Sequence, residues 1–526
     1  MTMTRWRVAT ASTLIALALI AGAAGADVDL PSVIGSHMVL QRDRWVPIWG
    51  WADANEDIVV TVIGADGPVN TEKARAADDG TWKVKIRPRP AGGPYTITVQ
   101  GRNTITLENV LFGEVWVCSG QSNMQWPVFA SDDAEREVAE ADYPDMRLFR
   151  VEMVTAEEPK RDTNGSWQVC RPETIPDFTA VGYFFGRKLH QELGVPVGLI
   201  QAAWGGTPAE SWMSERGLKC SRNYEEWYAP LVARWETTLA AYPRATRNYN
   251  KFVLPRWQRA VREAELAGET PPGQPQPPVG PDHPHRPYSL FNGMISPILP
   301  YGIRGAIWYQ GESNADRAYQ YRHLFKDLIK DWRFHWQQGD FPFYFVQLAN
   351  FMSVDAAPTD APWPELREAQ NVALELPQTG VALAIDIGDA GDIHPRNKQE
   401  VGRRLALNAL AEIHGRDVVY QGPMFRRMEV AGSVARLYFW DGGADLIVNG
   451  EELTGFAIAD ERRKFVWAEA RLVDGHVEVW SPEIAEPAAV RYAWSNNPVA
   501  NLYNAAGLPA SPFRTDQWPG VTIEAR

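Results

Sequence analysis

Between residues 110 and 414 the chain alternates short apolar runs with helical patterns, and few folds accommodate that order. Five runs, at 110–118, 197–204, 303–309, 343–348 and 381–386, are apolar almost throughout, as strands buried on both faces are. Helical spacing separates several of them. Val181, Phe184, Phe185, Leu189 and Leu193 share one face of a helical stretch, and Tyr321, Leu324, Phe325, Leu328, Ile329 and Trp332 share one face of another. Residues 363–376 and 398–413 also fit a period of 3.6. This alternation predicts an α/β fold with a five-stranded parallel sheet covered by helices on both sides, an α/β/α core of three layers. Ligands of such sheets bind beyond the carboxyl ends of the strands.

At 526 residues the chain exceeds what one core usually spans. Residues 27–109 read as an N-terminal β domain, with strand-like stretches at 57–62 and 81–86 and turns at Ala65-Asp66-Gly67 and Asp78-Asp79-Gly80. Alternation returns at 434–439, 465–473 and 477–480, so 416–526 reads as a C-terminal β domain packed on the first. The α/β core, 110–415, carries an insertion at 216–287. That insertion starts as a Trp- and Tyr-rich helical stretch and ends in a Pro-rich run, 268–287, expected to lie extended on the surface. Residues 1–26 read as a secretory signal: Arg5 and Arg7, a short apolar stretch with Leu14, Ile15 and Leu17 at its centre, then Ala24-Gly25-Ala26 as a cleavage site. The expectation is a secreted or periplasmic protein, free of the membrane after cleavage behind Ala26.

Charge and cysteines narrow the chemistry. A formal charge of −13 argues against a nucleic-acid partner, because phosphate binding needs a basic field. Cys118 sits on a predicted strand and reads as a small buried hydrophobe, while Cys170 and Cys220 could pair in an oxidising compartment. No Cys/His spacing suggests zinc.

Four segments follow the ends of predicted strands, where a site belongs. In Ser119-Gly120-Gln121-Ser122-Asn123-Met124, a serine at a strand-to-helix turn presents its hydroxyl at the rim of the sheet and its own N–H toward an oxyanion; an ordinary helix cap has the same look. In Trp204-Gly205-Gly206-Thr207-Pro208, paired glycines let backbone N–H groups approach a ligand, or simply make a tight turn. In Trp308-Tyr309-Gln310-Gly311-Glu312-Ser313-Asn314, an amide can donate to an oxyanion. The fourth segment, 386–395, places His394 before a helix with Asp386, Asp389 and Asp392 nearby. His394 can reach back over the sheet to Ser122, and an adjacent carboxylate would fix its tautomer. Three Asp and one His so close together could also hold a divalent cation, although no second ligand cluster accompanies them.

Their order and strand-end placement together are specific. The chain resembles the SGNH (GDSL-like) hydrolases and, within them, the sialate O-acetylesterase-like carbohydrate esterases. The likeness rests on residues 115–124, 204–213, 292–298, 305–314 and 386–405. It implies an esterase that removes acetyl groups from carbohydrates without metal or organic cofactor. Carried onto this chain, Ser122 is the nucleophile and His394 the base, and the N–H groups of Ser122 and Gly206 form the oxyanion hole. Gln310 is favoured as third donor over Asn314. The superfamily's Asp-x-x-His is altered here, since Gly391 stands where that Asp would be; Asp392 is preferred as the triad acid, with Asp389 and Asp386 left open. Trp126, Trp204, Glu312 and Asn314 are the expected substrate contacts, and Trp212 and Trp308 could join the two other indoles in a sugar platform or pack in the core. Acetylated plant polysaccharides or oligosaccharides such as xyloglucan or xylan, and 9-O-acetyl sialate, are the substrates in view. The rival readings are a non-catalytic carbohydrate-binding protein on an esterase scaffold and a lipase or thioesterase of the same superfamily.

Overall fold

The computed structural model describes residues 27–440 and 442–526; the signal expected at 1–26 lies outside the described residues. Each of the five apolar runs forms a strand: Thr104–Gly120, Val197–Ala203, Gly305–Tyr309, Phe343–Gln347 and Thr379–Leu383. All five pair in parallel, in an order set by the long strand. Val197–Ala203 lies on one side of it; Gly305–Tyr309, Phe343–Gln347 and Thr379–Leu383 follow on the other. The sheet is wider than the sequence pattern predicts. Tyr143–Arg150 adds a parallel strand beside Val197–Ala203, and the short antiparallel Gln168–Cys170 closes that edge. Tyr143–Arg150 escapes an apolar template because Pro144, Asp145, Arg147 and Arg150 interrupt it. Arg147 is nonetheless buried, its guanidinium given to the Pro144 carbonyl and the Asn109 side chain.

Helices cover both faces. Trp116 packs edge-on against Phe185 of the Ala180–Leu193 helix. Trp308 is in register with Ser119, so it points to the face opposite Trp116, where it stacks on Phe325 of the Ala318–Trp336 helix. On the first face, the Lys398–Glu412 helix comes close to Ala180–Leu193 at Gly402, where any Cβ would meet the Phe185 backbone nitrogen at 2.7 Å.

One strand serves two sheets. The first half of Thr104–Gly120 pairs antiparallel with Gly92–Gln100, which in turn pairs with Asp57–Gly64, before its second half enters the central sheet. The apolar core is correspondingly continuous from Val28 to Leu410. A separate core, from Ala435 to Phe513, belongs to the C-terminal β module. That module docks on the α/β core: the guanidinium of fully buried Arg367, in the Pro362–Asn371 helix, donates to the carbonyls of Leu348 and Ala349 and to those of Ser495 and Asn496, at 2.7–2.9 Å.

The insertion supplies two helices, Ala229–Asn248 and Leu254–Ala267, followed by an irregular Pro-rich stretch. The possible pairing of Cys170 with Cys220 is not formed: Cys118 and Cys170 are free and buried, and Cys220 is free and exposed. Among the described residues no helix is long and apolar enough to cross a membrane.

Candidate active site

Three strands end level with one another. Gly120 is in register with both Ala203 and Tyr309, so the segments after all three leave the sheet at one rim. Gly120 itself must be glycine. Its φ is +138°, and a Cβ there would lie 2.2 Å from the Tyr309 carbonyl oxygen. This crowding turns the chain sharply into the short Ser122–Gln125 helix and brings Ser122 to the rim.

His394 arrives from the loop after Thr379–Leu383. Its Nε2 lies 2.9 Å from Ser122 Oγ. Asp392 Oδ1 accepts twice from His394, from the backbone N–H at 2.9 Å and from the ring Nδ1 at 3.2 Å. That turn lets a carboxylate two residues upstream face Nδ1, so the altered spacing is no obstacle. The other two acids are spent elsewhere. Asp386 forms a bidentate pair with Arg404 at 2.7 and 2.8 Å, and Asp389 caps the Gly391 N–H. Among the described residues no group of three or more His, Cys, Asp or Glu side chains is arranged to hold a metal ion.

The electrostatics suit a general base. Trp126 stacks over the His394 ring at 4.9 Å and 20°. Burial lowers the His394 pKa below its ordinary 6.5, partly opposed by the Asp392 carboxylate. The imidazole is therefore neutral near pH 7 and free to take a proton. The backbone N–H of His394 holds the Asp392 carboxyl below the usual range, so the acid stays ionised.

The glycine loop lies against Ser122. A Cβ on Gly205 would sit 3.3 Å from Ser122 Cβ, and the Gly205 N–H is given to Gln125 Oε1 at 2.7 Å. Gly206 follows with φ +74° and is exposed. Ser122 and His394 open onto a cleft of about 700 Å³ whose walls include Trp126, Phe129, Glu152 and Met153.

Other expected contacts do not reach this cleft. Gln310 is fully buried: its amide donates to Asn314 Oδ1 at 2.6 Å and the Thr207 carbonyl at 3.3 Å, and its oxygen accepts from Tyr321 at 2.9 Å. Asn314 is buried too, donating to Glu210 and accepting from the Ala209 N–H. Both amides brace the rim instead of offering a donor to an oxyanion or a sugar. Trp212 and Trp308 are wholly buried and pack edge to face, so neither is a sugar platform. Trp204 is half-buried and packs against the core. Trp126 lines the cleft, but its ring is already occupied with His394.

Glu312 takes part in a network that the sequence does not reveal. Its Oε1 accepts from Asn123 at 2.6 Å, and Asn123 Oδ1 accepts from the Nζ of fully buried Lys398 at 2.5 Å. Burial lowers Lys398 to about 7 and raises Glu312. A lysine at the start of a helix otherwise packed on the core was the one available signal.

Residues 112–247 and 286–411 match the carbohydrate esterase family described as sialic acid-specific acetylesterases. The chain is 31% identical to the sialate O-acetylesterase of Mus musculus over 95% of its own length and 96% of that protein's. It is 29% identical to the Homo sapiens sialate O-acetylesterase, over 94% and 95% of the two chains. Among solved structures it resembles a carbohydrate acetylesterase from Xanthomonas citri, with a TM-score of 0.77 and 36% identity, across 93% of this chain and 100% of that one.

Proposed function

This chain belongs to the sialic acid-specific acetylesterase family of carbohydrate esterases, and from that premise we propose that Ser122, His394 and Asp392 run its reaction. It is a carbohydrate O-acetylesterase. The observation that carries the mechanism is the 2.9 Å contact between His394 Nε2 and Ser122 Oγ.

His394 takes the Ser122 proton as Oγ attacks the acetyl carbonyl. The tetrahedral oxyanion is held by the backbone N–H groups of Ser122 and Gly206, each worth about 3 kcal/mol in the transition state. The protonated imidazole, steadied by Asp392, passes its proton to the departing sugar oxygen. Water then attacks the acetyl-serine, with His394 again as base, and acetate leaves. The proposed framework is the SGNH type, with domains at 27–109, 110–415 and 416–526, the first boundary falling inside the Thr104–Gly120 strand that the first two share.

The substrate proposed is an O-acetylated polysaccharide or oligosaccharide, of the xyloglucan or xylan kind, met outside the cell after export. The open cleft of about 700 Å³ supports this reading, since an acetyl group alone needs far less room. The test is acetate release from acetylated xyloglucan, acetylated xylan and acetylated sialosides by the native enzyme and by Ser122→Ala. Ser122→Ala should be inactive on each with its fold intact; undiminished turnover would remove Ser122 from its role.

A further inference from the structure

The C-terminal β module and the segment after the Phe343–Gln347 strand enclose a cavity of about 850 Å³. It shares no lining residue with the Ser122 cleft. Trp467 forms one wall and is 44% exposed. Its N–H is given to the Ala356 carbonyl at 3.1 Å, so the ring is held in place while its surface stays open. Trp480, half-buried, is a second ring in the wall, with the Arg471 guanidinium 5.3 Å from its centroid. Buried Leu453, Phe456 and Trp494 complete an apolar floor.

The polar groups around these rings are mostly acidic. Asp355, Glu451, Glu452 and Glu469 all line the cavity. Arg471 is the one cation among its described lining residues, and it is already paired with Glu478 at 2.7 Å. An apolar tail would strip water from these carboxylates without replacing their hydrogen bonds. An acidic sugar would meet like charge. A neutral sugar satisfies both demands: its C–H face covers an indole, and its hydroxyls donate to carboxylates.

The cavity is also tied to the catalytic loop. Asn350 Oδ1 accepts from the Gly388 N–H at 2.7 Å, in the loop that leads to His394, and Asn350 Nδ2 donates to Asn497 Oδ1 at 2.8 Å. Asn497 lines the cavity. The segment that carries Val354 and Asp355 and the loop that carries His394 both leave the sheet from the carboxyl ends of its strands.

We propose that this cavity is a second glycan-binding site, taking an uncharged stretch of a polysaccharide or oligosaccharide, with Trp467 as its stacking platform and Trp480, backed by Arg471, as a second wall. The inference rests on the carbohydrate acetylesterase reading and names its substrate class as neutral glycan.

The test has two arms. In the first, unacetylated xylohexaose, a xyloglucan oligosaccharide and sialyllactose are titrated calorimetrically into Ser122→Ala enzyme, with and without Trp467→Ala. A neutral oligosaccharide should bind, Trp467→Ala should weaken it about tenfold, Trp467→Phe should retain most of the binding, and sialyllactose should not bind. In the second, Trp467→Ala in otherwise native enzyme should raise KM for the acetylated polysaccharide while leaving turnover of p-nitrophenyl acetate unchanged. Failure of both neutral probes to bind, equal binding by Trp467→Ala, or preference for sialyllactose would overturn the proposal. Because p-nitrophenyl acetate reports Ser122 alone, any of these results with that turnover intact would strike this site and leave the esterase mechanism standing.

Discussion

The side-chain amide of Asn123 donates to the main-chain carbonyl of Ile393 across 3.1 Å, so the residue after Ser122 holds the residue before His394. The same side chain is fixed by Glu312 at 2.6 Å and by Lys398 at 2.5 Å. The meeting of Ser122 and His394 therefore depends on a buried polar cluster in which no member need touch the substrate.

Asn123→Ala removes that clamp without removing a reacting group. Its kcat on p-nitrophenyl acetate should fall by on the order of 10- to 100-fold with KM little changed, the cost of a misplaced catalytic pair. Steady-state kinetics beside a thermal melt would check this. A pure KM effect would show that the clamp does not set the Ser122–His394 geometry.

The three candidate acids should separate cleanly. Asp392→Asn should lower kcat by on the order of 10³- to 10⁴-fold, because the neutral amide no longer favours the tautomer with its proton on Nδ1. Asp389→Asn should leave kcat nearly unchanged, since its carboxylate faces Gly391 and not the ring. Asp386→Asn should act chiefly on stability, by leaving the buried guanidinium of Arg404 short of its bidentate partner. Kinetics and melting temperatures of the three variants decide the order.

The pH profile follows from the same geometry. The base works only when neutral, and burial has lowered its pKa. kcat/KM should therefore rise with pH along a limb whose midpoint lies below the ordinary 6.5. Trp126→Ala opens one face of the ring to water and should move the midpoint upward. Rates of p-nitrophenyl acetate hydrolysis between about pH 5 and 8 would show the limb, with a midpoint above the ordinary value as the contrary result.

What the sequence revealed was what local order controls. That Ser122, His394 and Asp392 come together could be read because each lies beside the end of an apolar run or within two residues of its partner. The burial of Gln310 and Asn314 is not legible because, apart from the bond between the two, their partners Tyr321, Thr207, Ala209 and Glu210 come from other segments. The strand Tyr143–Arg150 was missed because charge at Arg147 and Arg150 masked its periodicity, although the fold buries Arg147. Trp126 and Trp308 are the same residue type beside equally suggestive motifs; only the folded chain puts one against His394 and the other in the core.

Arg367 gives a stability prediction of the same kind. Its buried guanidinium joins carbonyls of the rim to carbonyls of the C-terminal module. Arg367→Ala would leave those oxygens without donors and should cost about 3 kcal/mol or more. Denaturant unfolding should show the loss, together with earlier release of the C-terminal module under limited proteolysis. An unchanged transition would mean that water replaces the guanidinium at little cost.

In the proposed mechanism His394 makes Ser122 nucleophilic. This is tested most directly by labelling the enzyme with a fluorophosphonate and mapping the adduct by peptide mass spectrometry. The adduct should sit on Ser122, appear in step with the loss of acetate release, and fail to form in His394→Ala. An adduct at another residue that tracks the loss of activity, or full labelling of Ser122 in His394→Ala, would contradict the mechanism.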